Sequence, residues 1–462
     1  MTSTESATQP AKPSALFNVL LGVVVVAVLG SMVWGWLVGR QPVAPLIKAM
    51  TLPVDSSWYQ TLPINPEAAA NKYLERIPPA LRARNDALGF GDNLTTVLYI
   101  IRNVAAIVLL MFSGAIARIE RLTARISSRP FIRRTFVLLF VYAVYWALAF
   151  PLVTYQSWVL QYHAGPMYAM YWDGLSTMVV AGMVSALLFA AQLTVLYALA
   201  RGSTRRVLVI LISGVSLWLM ASILGQPLID RYVADAIPIS IDQSSKMQKI
   251  QAFADSNGVH PGALWLQHVG QQEGNYESAT AGVGSTAHIL MDADMFQDLS
   301  IDELKYVLGH EFGHLKRHDV LTGLLTALAL TSLSWLLVAW MSGKLLARYH
   351  ERWDVRNLTD IRALPLVWGV FALMQIAAIP VNNALARDEE SAADQYALQA
   401  TNRPTVMADY LMRGEIADAH PSPFIEYVFY DHPSLYSRVL AAMRWRAAHE
   451  LHNQNMVTPH SP

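Results

Sequence analysis

The sequence predicts a mainly α, polytopic membrane protein with seven transmembrane helices and a small α+β region. Three observations lead there. First, 54% of the 462 residues are hydrophobic and 15% are charged, with a mean hydropathy of +0.31; soluble domains carry about a quarter charged residues. Second, the apolar residues are gathered into runs near or above the ~20 residues that cross a bilayer as a helix. Third, arginine is concentrated in alternate short loops, the asymmetry of a multi-pass chain. The chain has no cysteine, which excludes disulfides, thiolate metal sites, cysteine nucleophiles and iron–sulfur clusters. Any transition metal must therefore be held by nitrogen and oxygen. The 34 basic residues balance 34 acidic ones, so nothing points to a nucleic-acid partner.

Taken in order, residues 1–14 are mostly Ser, Thr, Ala, Pro and Gln and read as a disordered tail. Spans are expected at Ala15–Val38, Thr95–Ala117, Thr135–Trp158, Leu175–Ala200 and Val207–Leu224. They make a five-span membrane domain over 15–224 with a Pro-rich polar loop at 39–94. The first run is too long for a signal-peptide core and no small-residue cleavage site follows it, so it is read as a retained helix. A polar region follows at 225–319. A two-span hairpin at 320–386 comes next (Val320–Ala347 and Ala363–Ala386), then a polar stretch at 387–462.

The loop charges set the orientation. Arg118, Arg121, Arg125, Arg129, Arg133 and Arg134 follow span two, opposed only by Glu120. Arg201, Arg205 and Arg206 follow span four, and Lys344 at the end of span six with Arg348, Arg352, Arg356 and Arg362 marks the loop between the last two spans. Gln161–Gly174 has no Lys or Arg. Positive-inside logic puts the three basic loops and the N-terminus in the cytoplasm, with the polar regions 225–319 and 387–462 across the membrane. Arg102 is the clearest ionisable residue within a span, read as snorkelling to the interface or lining an aqueous cavity. Asn382 and Asn383 sit near the end of span seven, with no role assigned.

The chemistry is concentrated in Ile301–Asp319. Ser300 with Glu303 forms a capping box that opens a helix. His310 and His314 are four residues apart and project from one face, with Glu311 beside them. This is the His-Glu-x-x-His arrangement in which two imidazoles bind zinc and the carboxylate takes a proton from the water that zinc activates. Gly309 and Gly313 are helix-unfavourable residues that make sense where another backbone or a ligand comes close. His318 lies about 80° around the helix from His310, so it is read as a supporting or interfacial residue rather than a ligand. The third ligand is expected at Glu390. It shares a helix face with Arg387 and Asp394, and Asp394 is placed to accept a hydrogen bond from a ligand imidazole. Two spans separate the histidines from Glu390, so the chain returns to the side it left.

At this point the chain resembles the type I CAAX prenyl protease family of integral-membrane zinc endopeptidases, in its bacterial form. The resemblance rests on five leading spans, a soluble insert ending in HEFGH, a two-span hairpin, the Arg387-x-x-Glu390-x-x-Ala393-Asp394 element, and Asp431-His432-Pro433-Ser434 with Arg438. It implies one zinc ion per chain held by His310, His314 and Glu390, with Glu311 as general base and acid and Asp394 supporting a ligand. It also implies that His432 and Arg438 stand near the reacting carbonyl, where a donor stabilises the oxyanion. Residues 225–319 and 387–462 then become two parts of one metallopeptidase region acting on a peptide or protein substrate. The resemblance and the loop charges together imply an integral protein of a bacterial inner membrane with a periplasmic catalytic face. In one place the chain departs from the family. Five and four residues before Gly282 stand Glu277-Ser278 instead of Asn-Ala, at the strand that lines the substrate groove. The following run, His288–Met291, reads as a short edge strand able to pair with a substrate backbone.

Two other readings are weaker. A site-2-type intramembrane protease carries its motif inside an apolar span, whereas Asp302, Glu303, Lys305, Lys316, Arg317 and Asp319 flank this one. A metal-binding membrane transporter or non-proteolytic scaffold would carry ligands near the middle of several spans, and these spans hold almost no His, Asp or Glu.

Overall fold

The computed structural model describes residues 15–38, 54–156, 171–200, 202–239, 245–260, 263–267, 278–353, 355, 357–413 and 418–457. The expected tail 1–14 and Glu277 lie outside these residues. The described chain is mainly helical. Helix α1 (Ala15–Val38) is followed by α2 (Ser56–Gln60) and α3 (Pro66–Leu74), whose starts are fixed by the Asp55 and Asn65 side chains accepting from backbone N–H groups. Then come α4 (Pro79–Phe112), α5 (Ala115–Ile126), α6 (Pro130–Thr154), α7 (Tyr171–Ala200) and α8 (Thr204–Tyr232). Helix α9 (Ser245–Ser256) stands among the strands β1 (Ile237–Pro238), β2 (Leu264–Gln267), β3 (Ser278–Ala281) and β4 (His288–Asp292). Next are α10 (Met295–Asp298), α11 (Ile301–Arg317), α12 (Asp319–Trp353) and α13 (Leu364–Thr401). The chain closes with α14 (Pro404–Leu411), α15 (Pro423–Phe429) and α16 (Leu435–Val457).

Six helices among the described residues are long and apolar enough to cross a membrane: α4, α6, α7, α8, α12 and α13. They coincide with six of the seven expected spans. The remaining one, α1, is helical but is not among the six, so the count of seven is not reached. Helix α13 also runs on past Ala386 without a break. Its polar end from Arg387 onward is rich in Ala, Glu, Asp and Gln and has neither Gly nor Pro, so nothing in it ends the helix.

Contacts group the chain into two compact units. Unit 1 comprises Met1–Ala44, Gly91–Leu211 and Ser334–Ile376. Helix α6 is its hub, packed against α1, α5 and α7. Val137, Leu138 and Val141 on α6 are buried with Leu110, Ile116 and Ala190. Arg102 does not stand alone here: its Nη2 donates to the Tyr145 hydroxyl (2.8 Å), and its guanidinium lies 4.1 Å from that ring.

Unit 2 comprises Pro45–Phe90, Ile212–Leu333 and Ala377–Pro462. The polar stretch between the first two expected spans therefore contributes α3 to this core, where α16 packs against both α3 and α14. Tyr73, Leu81, Ile250, Leu264, Met291, Leu304 and Phe312 are fully buried together. The sheet has the order β1-β2-β4-β3, with β2 and β4 parallel and β3 antiparallel to β4. The run expected as an edge strand, His288–Met291, is therefore interior, and Ser278–Ala281 takes the edge. Gly282 is the reason. It holds φ +74°, and a Cβ there would stand 2.2 Å from the Thr286 carbonyl oxygen. This turn folds β3 back onto the outer side of β4, in register Ser278↔Met291 and Ala281↔His288.

Helices α11 and α13 meet where both are small. A Cβ on Gly313 would lie 2.7 Å from Ala393 Cα, and one on Gly309 would lie 3.1 Å from Ala397 Cα. The two glycines are there for a neighbouring backbone. Gly313→Ala should accordingly destabilise unit 2 by about 1–3 kcal/mol through overpacking, seen as a lowered melting temperature. Gly323→Ala on α12, which meets nothing within 4 Å, should leave melting unchanged or raise it.

Candidate metal centre

The site begins with the register of α11. Ser300 Oγ accepts from the Glu303 N–H (3.3 Å), and Glu303 Oε2 accepts from the Ser300 N–H (2.8 Å), the expected capping box. From that start, His310 and His314 fall on one face with their Nε2 atoms 3.2 Å apart. The close crossing with α13 brings Glu390 to the same point. Its Oε2 is 3.3 Å from His310 Nε2, and its Oε1 is 3.6 Å from His314 Nε2. One ligand atom from each of the three residues lies within 4.8 Å of the others.

Each imidazole is held from behind. His310 Nδ1 is 3.0 Å from Asp394 Oδ1, and His314 Nδ1 is 2.9 Å from Asp319 Oδ2. A carboxylate can only accept, so both Nδ1 atoms carry the hydrogen and both Nε2 atoms face the shared point. Burial lowers the pKa of His310, but Asp394 and Glu390 outweigh it and lift the imidazole to about 9. The group of side chains thus attracts positive charge, and a proton on His310 is what a metal would displace.

Asp394 is itself fully engaged. It is 3% exposed and accepts from the Tyr306 hydroxyl (3.0 Å), Arg438 Nε (2.7 Å) and Arg438 Nη2 (2.6 Å). Arg438 lines the cavity, and two of its nitrogens, Nε and Nη2, brace the Asp394 carboxylate. His432 stands at the rim beside Glu390. Its side chain is 57% exposed, with Nε2 3.4 Å from Glu390 Oε1 and Nδ1 3.0 Å from Asp431. His318 is the exposed C-cap of α11 in the left-handed conformation, φ +59°, and supports neither histidine. That turn instead presents the next residue, Asp319, to His314.

Glu311 is 3% exposed and points to the edge strand. The Ser278 hydroxyl donates to its Oε1 and the Thr280 hydroxyl to its Oε2, both at 2.8 Å. Ser278 and Thr280 are two apart on β3 and so share a face. Glu311, Ser278 and Thr280 line one cavity of about 770 Å³ with His310, His314 and Glu390, together with Tyr410, whose hydroxyl burial pushes up to about 12. Sequence reasoning missed Asp319, Tyr306 and the two hydroxyls. Tyr306 was readable as the residue one turn before His310, whereas Asp319 lies beyond the helix end and the strand has no sequence link to Glu311.

The sequence profile of peptidase family M48 matches residues 240–446, which include every residue of the site. A Bacillus subtilis protein described as an uncharacterized metalloprotease, YhfN, is 22% identical over 205 residues, covering 44% of this chain and 48% of that protein. A protease HtpX homolog of Methanopyrus kandleri is 28% identical over 152 residues, 32% of this chain and 44% of that protein. The chain thus spans less than half the length of these relatives. In three dimensions the chain is similar to the crystal structure of S. mikatae Ste24p, with a TM-score of 0.57 at 13% identity, over 94% of this chain and 100% of that one. That likeness is one of fold.

The carboxylates behind the histidines give a direct test. Asp394→Asn and Asp319→Asn should each weaken zinc binding by about 10–100-fold, measured by competition with a fluorescent chelator. Asp388→Asn, on an exposed side chain, should leave it unchanged.

Proposed function

On the premise that residues 240–446 are a peptidase family M48 domain in a membrane protein of Ste24p-like fold, we propose that the chain is a zinc-dependent endopeptidase. The single observation that carries this reading is the convergence of His310, His314 and Glu390 beside the buried carboxylate Glu311. The donor set suits zinc: two imidazole nitrogens fixed in one tautomer by carboxylates, one carboxylate oxygen and no thiolate. A zinc ion held there would make water acidic enough to deprotonate near neutral pH and would polarise the scissile carbonyl.

The chain's own residues do the rest. Substrate backbone adds to the outer edge of β3, which pairs with no further strand among the described residues and runs along the cavity beside α11. Glu311 takes the proton of the attacking water and returns it to the leaving amine. Ser278 and Thr280 fix the direction of its two oxygens and release one of them when water and substrate are in place. His432, the exposed histidine on the rim, donates to the developing oxyanion. The chain lies in a bacterial inner membrane as seven spans, with α1 as the first, and the arginine-rich loops favour a periplasmic face for this site. The substrate is a peptide or protein.

Glu311→Gln should lower peptide hydrolysis by about 10²–10⁴-fold while zinc content stays at that of the parent. Full turnover by the metal-replete variant would end the proposal. Reporter fusions after Val259 and at the C-terminus should both read as exoplasmic, and cytoplasmic signals at both positions would reverse the orientation.

A further inference from the structure

Unit 1 contains two adjoining cavities of about 350 Å³ each. One is polar and draws its walls from all three arginine-rich loops: Arg133 and Arg134 at the start of α6, Gly202 between α7 and α8, and Asn357 and Asp360 ahead of α13. The other is apolar, walled by residues such as Leu193, Val207, Trp335, Val338 and Phe371 on α7, α8, α12 and α13. Tyr197 and Thr359 line both, so the two cavities adjoin at these residues.

Glu120, Asp360, Arg133 and Arg134 line the polar cavity, and Arg362, outside the lining, adds one positive charge by pairing with Asp360. Arg133 Nη2 is 3.8 Å from Glu120. Asp360 is taken by Arg362, with Nη2 at 2.7 Å and Nε at 3.2 Å. Arg134 is left over. Its guanidinium stands over the Tyr197 ring at 5.9 Å, and no carboxylate pairs with it among the described residues. A surplus cation at the end of a helix bundle calls for one anionic group with acceptor oxygens. The apolar cavity behind it lies between helices long and apolar enough to span the bilayer, and calls for a hydrocarbon chain.

We propose that unit 1 holds one anionic glycerophospholipid drawn from the bilayer. Its phosphodiester sits against Arg134 with Arg133 beside it, and one acyl chain fills the apolar cavity. Basic pockets between transmembrane helices recognise lipid headgroups in this way. A single negative charge neutralises the cavity, whereas a free phosphate would leave the apolar half without a partner.

The test is native mass spectrometry of the full-length protein after equilibration in nanodiscs of phosphatidylglycerol or phosphatidylcholine. The parent protein should retain one phosphatidylglycerol, favoured about fivefold over phosphatidylcholine, the contribution of one basic residue. Arg134→Gln should erase that preference and Arg134→Lys should keep it. Ala339→Trp, which fills the apolar cavity, should reduce retention of both lipids alike. Glycerol 3-phosphate in excess should displace nothing. Equal retention of both lipids by the parent, unchanged retention in Ala339→Trp, or displacement by glycerol 3-phosphate would each overturn the proposal.

Discussion

The candidate site depends on the close crossing of α11 and α13. Glu390 and Asp394 can reach His310 only because Gly309 and Gly313 let the backbone carrying Ala393 and Ala397 approach to near contact. Two glycines inside a helix cost about 1 kcal/mol each relative to alanine. Here that cost permits a contact no side chain would allow. Ala393 and Ala397 are both fully buried and stand four apart, so they line the crossing as Glu390 and Asp394 line the site beside it.

That geometry places several carboxylates and an arginine where water is scarce. A buried carboxylate is tolerable only when its oxygens are occupied. Asp394 satisfies the rule with His310, Tyr306 and the fork of Arg438, and Glu311 does so with two hydroxyls. The effect is to fix directions. Each histidine is held in one tautomer and rotation by a carboxylate set behind it, and Glu311 is aimed by a strand rather than by its own helix. Because His310, His314, Glu311, Glu390 and Asp394 all belong to helices, small rotations of one side chain are resisted by the partners of the next.

Much of this was legible from residue order. His310, His314 and Glu311 follow from helical spacing, Glu390 from the return of the chain after two spans, and Asp394 from its position one turn beyond Glu390. The reading of Gly309 and Gly313 as points of close approach also held, with a helix backbone as the neighbour. The partner of Arg438 was not legible, because sequence spacing says nothing about which nitrogens of a guanidinium a buried carboxylate takes. His318 and Asp319 show the same limit. The left-handed residue that ends α11 faces solvent, and its neighbour is the one turned inward.

By itself the sequence determined what is local or periodic: the apolar helices, the arginine loops, the capping box and the ligand spacing on α11. Those follow from bilayer thickness, from 3.6 residues per turn and from the absence of cysteine. Only the tertiary structure decided which strand forms the open edge, which hydroxyls hold Glu311, and which acid stands behind His314. Each of those depends on a turn or a packing contact between segments distant in the chain, where side-chain direction is set by the competition of all neighbours for the same space and the same hydrogen bonds.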